Sequence, residues 1–250
     1  NFLYVAIQCL DSLPDQIVKR LSRRDNTQGD WVAIAFDSYF DRRTAFVFTV
    51  SASGVKGDAF ATENGNNDDD SWNPIWYVAT TVDQEGWNAE MKIPFSQLKF
   101  GKSAEQLWGL QVARSLFREQ EMSVWDRIPQ NSAGWISESG TLKGLKHLKS
   151  QHQLEIQPFV VAQYDTYAGE AGNPFREGKD LGFNAGIDAK IGVTNDLTLD
   201  LTINPDFGQV EADPGAIALD GFQIFFNERR PFFVENKNIF DFQFANGYDN

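Results

Sequence analysis

Hydrophobic and polar positions alternate with period two through much of this chain, the signature of strands with one wet and one buried face. Phe2–Leu10 is an apolar run closed by Asp11-Ser12-Leu13-Pro14. Trp31–Phe36 and Thr44–Val50 follow as strands, with Asp37–Arg43 connecting them. The polar and basic stretch Asp15–Arg24 predicts a helical turn, Ser51–Gly57 a turn, and Thr62–Ser71 an acidic loop. Pro74–Val82 and Trp87–Ile93 then form a hairpin around Asp83-Gln84-Glu85-Gly86, whose glycine can take positive φ. In its second arm Trp87, Ala89, Met91 and Ile93 share one face and Asn88, Glu90 and Lys92 the other. Trp108–Leu116 and Met122–Ile128 continue the pattern. Short strands at regular spacing predict an antiparallel β-sandwich over residues 1–150.

The character changes near residue 150. Lys143–Gln153, polar and basic and holding His147 and His152, reads as a linker. Leu154–Tyr167 is a long strand, followed by a Gly-rich charged loop, Ala168–Asp180. Phe183–Val193 alternates throughout, with Phe183, Ala185, Ile187, Ala189, Ile191 and Val193 on one face. The turn Thr194-Asn195-Asp196 leads into Leu197, Leu199, Leu201 and Ile203, which alternate with Thr198, Asp200, Thr202 and Asn204. Arms of roughly ten residues with this dyad period fit a transmembrane β-hairpin, and equally a long hairpin of a soluble sandwich. Phe207–Phe244 mixes Phe pairs with charges and has no clean period. Within it, Asn227–Glu235 reads as a loop fixed by ion pairs, because exposing Phe225, Phe226, Phe232 and Phe233 together is costly.

Composition narrows the partners. The net charge is −13, with 19 acids against 16 bases in residues 1–150 and 16 against 6 in residues 151–250. Such a surface repels a phosphate backbone, so nucleic acid is excluded as a partner. The single cysteine, Cys9, sits in an apolar run as a core residue. No apolar run reaches the length of about 20 residues that a membrane helix needs. The chain begins on strand-like sequence without Met or a basic leader and stops at FQFANGYDN without a closing element, and the expectation is an interior slice of a longer protein.

Aromatics make up 14% of the chain, with 21 Phe and 7 Trp, and call for a core, a binding face or a membrane girdle. Trp72 and Trp76 lie four apart, which on a strand places both rings on one face. Exposed, they would stack on sugar rings, with Asn66 and Asn67 bonding hydroxyls; buried, they would fill the sandwich. Asp68, Asp69 and Asp70 supply hard oxygen ligands of the kind Ca²⁺ prefers, without the spacing of an EF-hand, and otherwise form a solvated loop. Glu119, Glu121, Asp126 and Glu138 offer carboxylates, but a glycosidase needs two of them facing across a cleft. The chain has no phosphate-binding loop and no GxSxG elbow.

Leu3–Ala6, Asp30-Trp31-Val32 with Phe36-Asp37, Thr44-Ala45-Phe46, Gly86–Phe95, Trp108-Gly109 and Arg114 together resemble the N-terminal domain of a family of Gram-negative envelope proteins. That domain is similar to the family 9 carbohydrate-binding modules of xylanases. Leu199–Phe207, Gln209–Pro214 and Glu228–Glu235 resemble the family's second region, of unknown function and expected to form an outer-membrane β-barrel. The resemblance implies a β-sandwich joined to the first barrel strands in the outer membrane of a Gram-negative bacterium. It implies, less directly, the binding of a polysaccharide or oligosaccharide, to which the ligands of Asp68, Asp69 and Asp70 add structural calcium as the one candidate cofactor. The expected function is thus a non-catalytic carbohydrate-binding module. The alternatives are a structural or transport barrel component whose sandwich no longer binds sugar, and a hydrolase of O-glycosyl bonds.

Overall fold

The computed structural model describes residues 1–149, 151–169, 172–173, 178–194, 197–206, 208, 228 and 230–235. The chain forms two compact units, Asn1–His152 and Gln153–Asn250. Both are all-β and every sheet is antiparallel.

In the first unit, β1 (Phe2–Leu10), β7 (Gly86–Pro94) and β6 (Tyr77–Val82) form a three-stranded sheet in that order. The larger sheet runs β10 (Gly140–Lys146), β8 (Glu105–Leu116), β2 (Trp31–Asp37), β3 (Ala45–Ser51), β4 (Lys56–Thr62) and β5 (Asn67–Asp69). A further strand, β9 (Glu121–Val124), pairs with the upper half of β8. One core lies between the sheets. Trp87, Ala89, Met91 and Ile93 enter it from β7, as their alternation predicts, and meet Val32, Ile34 and Phe36 of β2 and Phe46, Phe48 and Val50 of β3. Cys9 is buried with them. The rings form one connected network, from Phe95 through Phe100, Trp108 and Phe36 to Phe48, at centroid separations of 5.6–6.4 Å. Phe48 then meets both Trp72 and Trp76. Much of the aromatic excess is therefore core.

Several local expectations need correction. Asp15–Arg24 forms no helix beyond a short 3₁₀ turn at Pro14–Gln16, because it has no apolar stripe to bury. β4 and β5 fill a region read as turn and loop; Gly57 and Asp58 interrupt the hydrophobic pattern of β4. Lys143–Lys146 belongs to β10 and not to a linker. Trp125–Ile128 leaves the sheet after Val124. Trp72 and Trp76 precede β6 instead of lying on a strand, yet both rings still turn to the same core.

The second unit contains β11 (Leu154–Thr166), β12 (Lys179–Gly192) and β13 (Thr198–Ile203) in an open, partial barrel-like sheet, with a single helical turn α1 (Pro231–Val234) packed on β13. The hairpin turn at Asn195-Asp196, the Gln209–Pro214 string and most of Phe207–Phe244, including Phe225 and Phe226, lie outside the described residues.

Candidate functional site

Trp76 is 1% exposed, and its ring stands edge-on to Phe48 at 5.2 Å. Its Nε1 donates to Asp58 Oδ2 at 3.1 Å, while Lys56 Nζ sits 5.5 Å from the ring centre and donates to the Trp76 carbonyl at 3.1 Å. Asp58, with no exposed side-chain surface, also takes a forked pair from Arg24 at 2.7–3.0 Å. Arg24 reaches on to the Pro74 carbonyl at 2.8 Å, so one buried carboxylate ties three segments together. Burial pushes the nearby Asp25 carboxyl up from its ordinary value, with the charges of Asp58 and Asp70 adding to the effect. Burial likewise pulls the Lys56 ammonium down, helped by the Arg24 charge. Trp76 thus has no free face for a sugar. Trp72 is half-buried and packs on Phe46 at 5.0 Å and Phe48 at 5.6 Å. The core arrangement holds for both.

Asn66 is exposed, but its amide is engaged in holding its own loop, donating to the carbonyls of Glu63 and Ala133 at 2.8 Å. Asn67 bonds Thr62 at 3.3 Å. Asn67 and Asp69 pair with Thr62 and Phe60, and Asp68 with Ala61. Strand alternation therefore turns Asp68 to the opposite face from Asp69, and the three Asp carboxylates do not converge. Asp69 instead accepts from the backbone and hydroxyl of Ser71. Among the described residues no three His, Cys, Asp or Glu side chains lie together as a metal site. Of the carboxylates considered for hydrolysis, Glu121 accepts from Ser123 and Glu138 from Ser132, each at 2.9 Å, and Glu119 lies 3.5 Å from Arg118. Asp126 accepts from the amide of Arg127. Each is engaged by a near neighbour in the chain.

A different surface was not singled out from the sequence. On the side of the large sheet turned away from the core, β2 presents Ala33 and Ala35, β3 Val47 and Thr49, β4 Gly57 and Ala59, and β8 Ala113, with the larger Trp31 of β2 and Gln111 of β8 on the same face. This floor of small side chains is bounded at one end by Trp135 and Ile136, which pack over Ala35, Ala45 and Ala61. At the other end the Thr27 methyl comes up against Gly57. The Trp135 wall is held by Asn64, whose carbonyl and side chain bond Trp135 and Ser137 at 2.8–3.0 Å. The signal was present in the sequence: small residues occupy the positions between Val32, Ile34 and Phe36, and again between Phe46, Phe48 and Val50.

The described residues of the second unit carry a broad exposed apolar face. Cross-strand register stacks Leu154, Ile191 and Leu199, then Ile156, Ala189 and Leu201, then Pro158, Ile187 and Ile203, on one face. Val160 with Ala185, Ala162 with Phe183 and Tyr164 with Leu181 extend it. Val160 is 76% and Phe183 72% exposed. The opposite face carries Glu155, Lys190 and Asp200 in one row and Gln157, Asp188 and Thr202 in the next. There Thr202 donates to Asp188 at 2.6 Å, and Lys190 pairs with Glu235. Phe159, lying over Gly186, and Val161 are the apolar exceptions.

Residues 151–243 match the model of a family described as a domain of unknown function, DUF5916. No curated protein matches the chain. Among the described residues no helix is long and apolar enough to cross a membrane.

Proposed function

We propose that this chain belongs to an outer-membrane β-barrel protein of a Gram-negative envelope, with β11–β13 as wall strands and the first unit as a water-exposed accessory domain. In this reading the role is structural or transport-related. The observation that carries it is the register of the open sheet, which gathers most apolar positions of three strands, all but Phe159 and Val161, on one exposed face and the charged rows on the other. From Leu154 to Tyr164 the apolar face of β11 extends about 33 Å, enough for a tilted strand to cross the hydrocarbon. Facing water, so broad an apolar patch would drive association; facing lipid it is at equilibrium. Among the described residues no further strand pairs with β11 or β13, which suits a sheet continued by further strands, since a barrel leaves no edge in lipid. Substituting arginine at Val160 or Leu201 tests this. Each is expected to cut membrane insertion, at about 2–4 kcal/mol near the bilayer midplane, while arginine at Gln157 is tolerated. Insertion unaffected by any of the three would contradict the proposal.

The small-residue floor on the first unit favours a second reading, glycan binding by a domain like the family 9 carbohydrate-binding modules. A flat floor beside Trp135 admits a sugar ring that Trp72 and Trp76 cannot reach. Calorimetric titration with mixed oligosaccharides should then saturate and lose its heat in Ala59→Phe, which fills the floor. The same titration with and without calcium reads any contribution from Asp68, Asp69 and Asp70. Absence of saturable heat would leave the accessory domain without a sugar ligand.

A further inference from the structure

Residues 230–235 do not continue the sheet; with Glu228 they form a self-braced knob. Arg230 takes the Glu228 carboxylate through Nε and Nη2 at 2.9 and 2.7 Å and lies 4.5 Å from the Phe233 ring centre. The amides of Phe233 and Val234 close back on the Arg230 carbonyl at 3.0 and 3.2 Å. The knob packs on β13, and Glu235 accepts from Lys190, 45 residues earlier in the chain.

Lys190 is the one Lys or Arg among the described residues of the polar face, and Glu155 and Asp200 flank it in register. A third carboxylate arriving at this row meets net negative charge, so its stay depends on sharing the Lys190 ammonium. Asp200 Oδ1 is shielded from water and has no hydrogen-bond partner, which marks the row as covered. We propose that residues 230–235 are a latch, pinned to the polar face of the open sheet by the Lys190–Glu235 pair. On the barrel reading, on which this clause rests, the polar face lines the interior and the latch narrows it. The Lys190–Glu235 pair and the attraction between Arg230 and Asp206 are charge contacts, so the latch can release without unfolding the strands beneath it.

The test uses the whole chain in detergent micelles with Val234→Cys as a reporter of latch opening. Cys9 stays silent to alkylation, being buried with its thiol pushed up to about 11. Glu235→Gln should speed alkylation at position 234 roughly fivefold or more, as local opening rises when a partly buried pair is lost. Lys190→Glu combined with Glu235→Lys should restore the slow rate. Hydrogen exchange of the amides of Phe233 and Val234 in the chain without the reporter, with and without Glu235→Gln, gives the same reading should the reporter variant not fold. Equal rates with and without Glu235→Gln would overturn the latch. Conductance in planar bilayers separates the two claims. A larger conductance for Glu235→Gln than for the unsubstituted chain supports the narrowing, and equal conductance with faster alkylation overturns it. Failure of every variant to insert would overturn the barrel reading while the alkylation result still decides the latch.

Discussion

At the scale of single residues, Trp76 shows how a side chain suited to binding becomes structural. Its ring completes an aromatic network and its indole nitrogen meets a carboxylate that has no exposed surface. Trp76→Ala should therefore destabilise the first unit by about 3–5 kcal/mol, and Trp76→Phe, which keeps most of the ring contact, by about 1–2 kcal/mol. Urea unfolding of the two variants measures both; a cost under 1 kcal/mol for the alanine would contradict the placement. Sequence left Trp72 and Trp76 open because their neighbours, Asn73, Pro74 and the acidic loop, look like surface. What decides the matter is Phe48, brought there by sheet pairing some thirty residues away.

Asp11 sets a pH dependence at the same scale. The Arg118 hydrogen bonds, at 2.7 Å to each oxygen, hold its carboxyl below the ordinary 3.8. A carboxyl lowered in the folded state contributes stability that is fully present above 3.8 and is lost as pH falls through the lower folded value. Asp11→Asn should lower stability at pH 7 and flatten its fall below pH 3.8. Asp25 and Asp37, raised by burial, act in the opposite sense: their ionised forms cost stability at neutral pH, and that cost is relieved as pH falls toward 3.8. Urea midpoints between pH 7 and 3 measure the sum, and an unchanged acid limb in Asp11→Asn would contradict the assignment.

At the scale of elements, legibility followed periodicity. β7 and β12 alternate without interruption, β11 does so but for Phe159 and Val161, and all three stand close to where their patterns put them. β4 was missed because Gly57 and Asp58 interrupt its hydrophobic pattern, and Asp58 is there to hold Arg24. Two glycines carry sharp element-level predictions. A Cβ on Gly65, whose φ is +83°, would fall 2.0 Å from the Trp135 indole nitrogen. Gly65→Ala should release the 125–139 loop from the outer face, read as faster amide exchange at Trp135 and Ile136. On Gly186 a Cβ would meet the Phe159 ring at 2.2 Å and the Ile203 carbonyl at 2.6 Å. The ring can turn aside but the carbonyl belongs to the paired strand, so Gly186→Ala should cost about 1–3 kcal/mol and loosen β12 from β13. Unchanged exchange in either variant would count against the close approach.

At the scale of the whole molecule, the sequence conveyed two regions with different patterning and an uneven charge. It could not convey which layers cover which faces. The floor of small residues is an example, since each strand contributes only one or two alternate alanines and the surface exists only once β2, β3, β4 and β8 are in register. The open sheet is the converse case: the alternation was plain, and register turns it into a continuous apolar face. All 7 Trp residues lie before residue 150, so a tryptophan placed in the open sheet is a clean reporter against a background outside the sheet. The most direct test reconstitutes Val160→Trp and Gln157→Trp separately in bilayers whose acyl chains carry bromine, and compares quenching. The lipid-facing account predicts strong quenching at position 160 and none at position 157. Equal quenching at the two positions, or none at position 160, would contradict it.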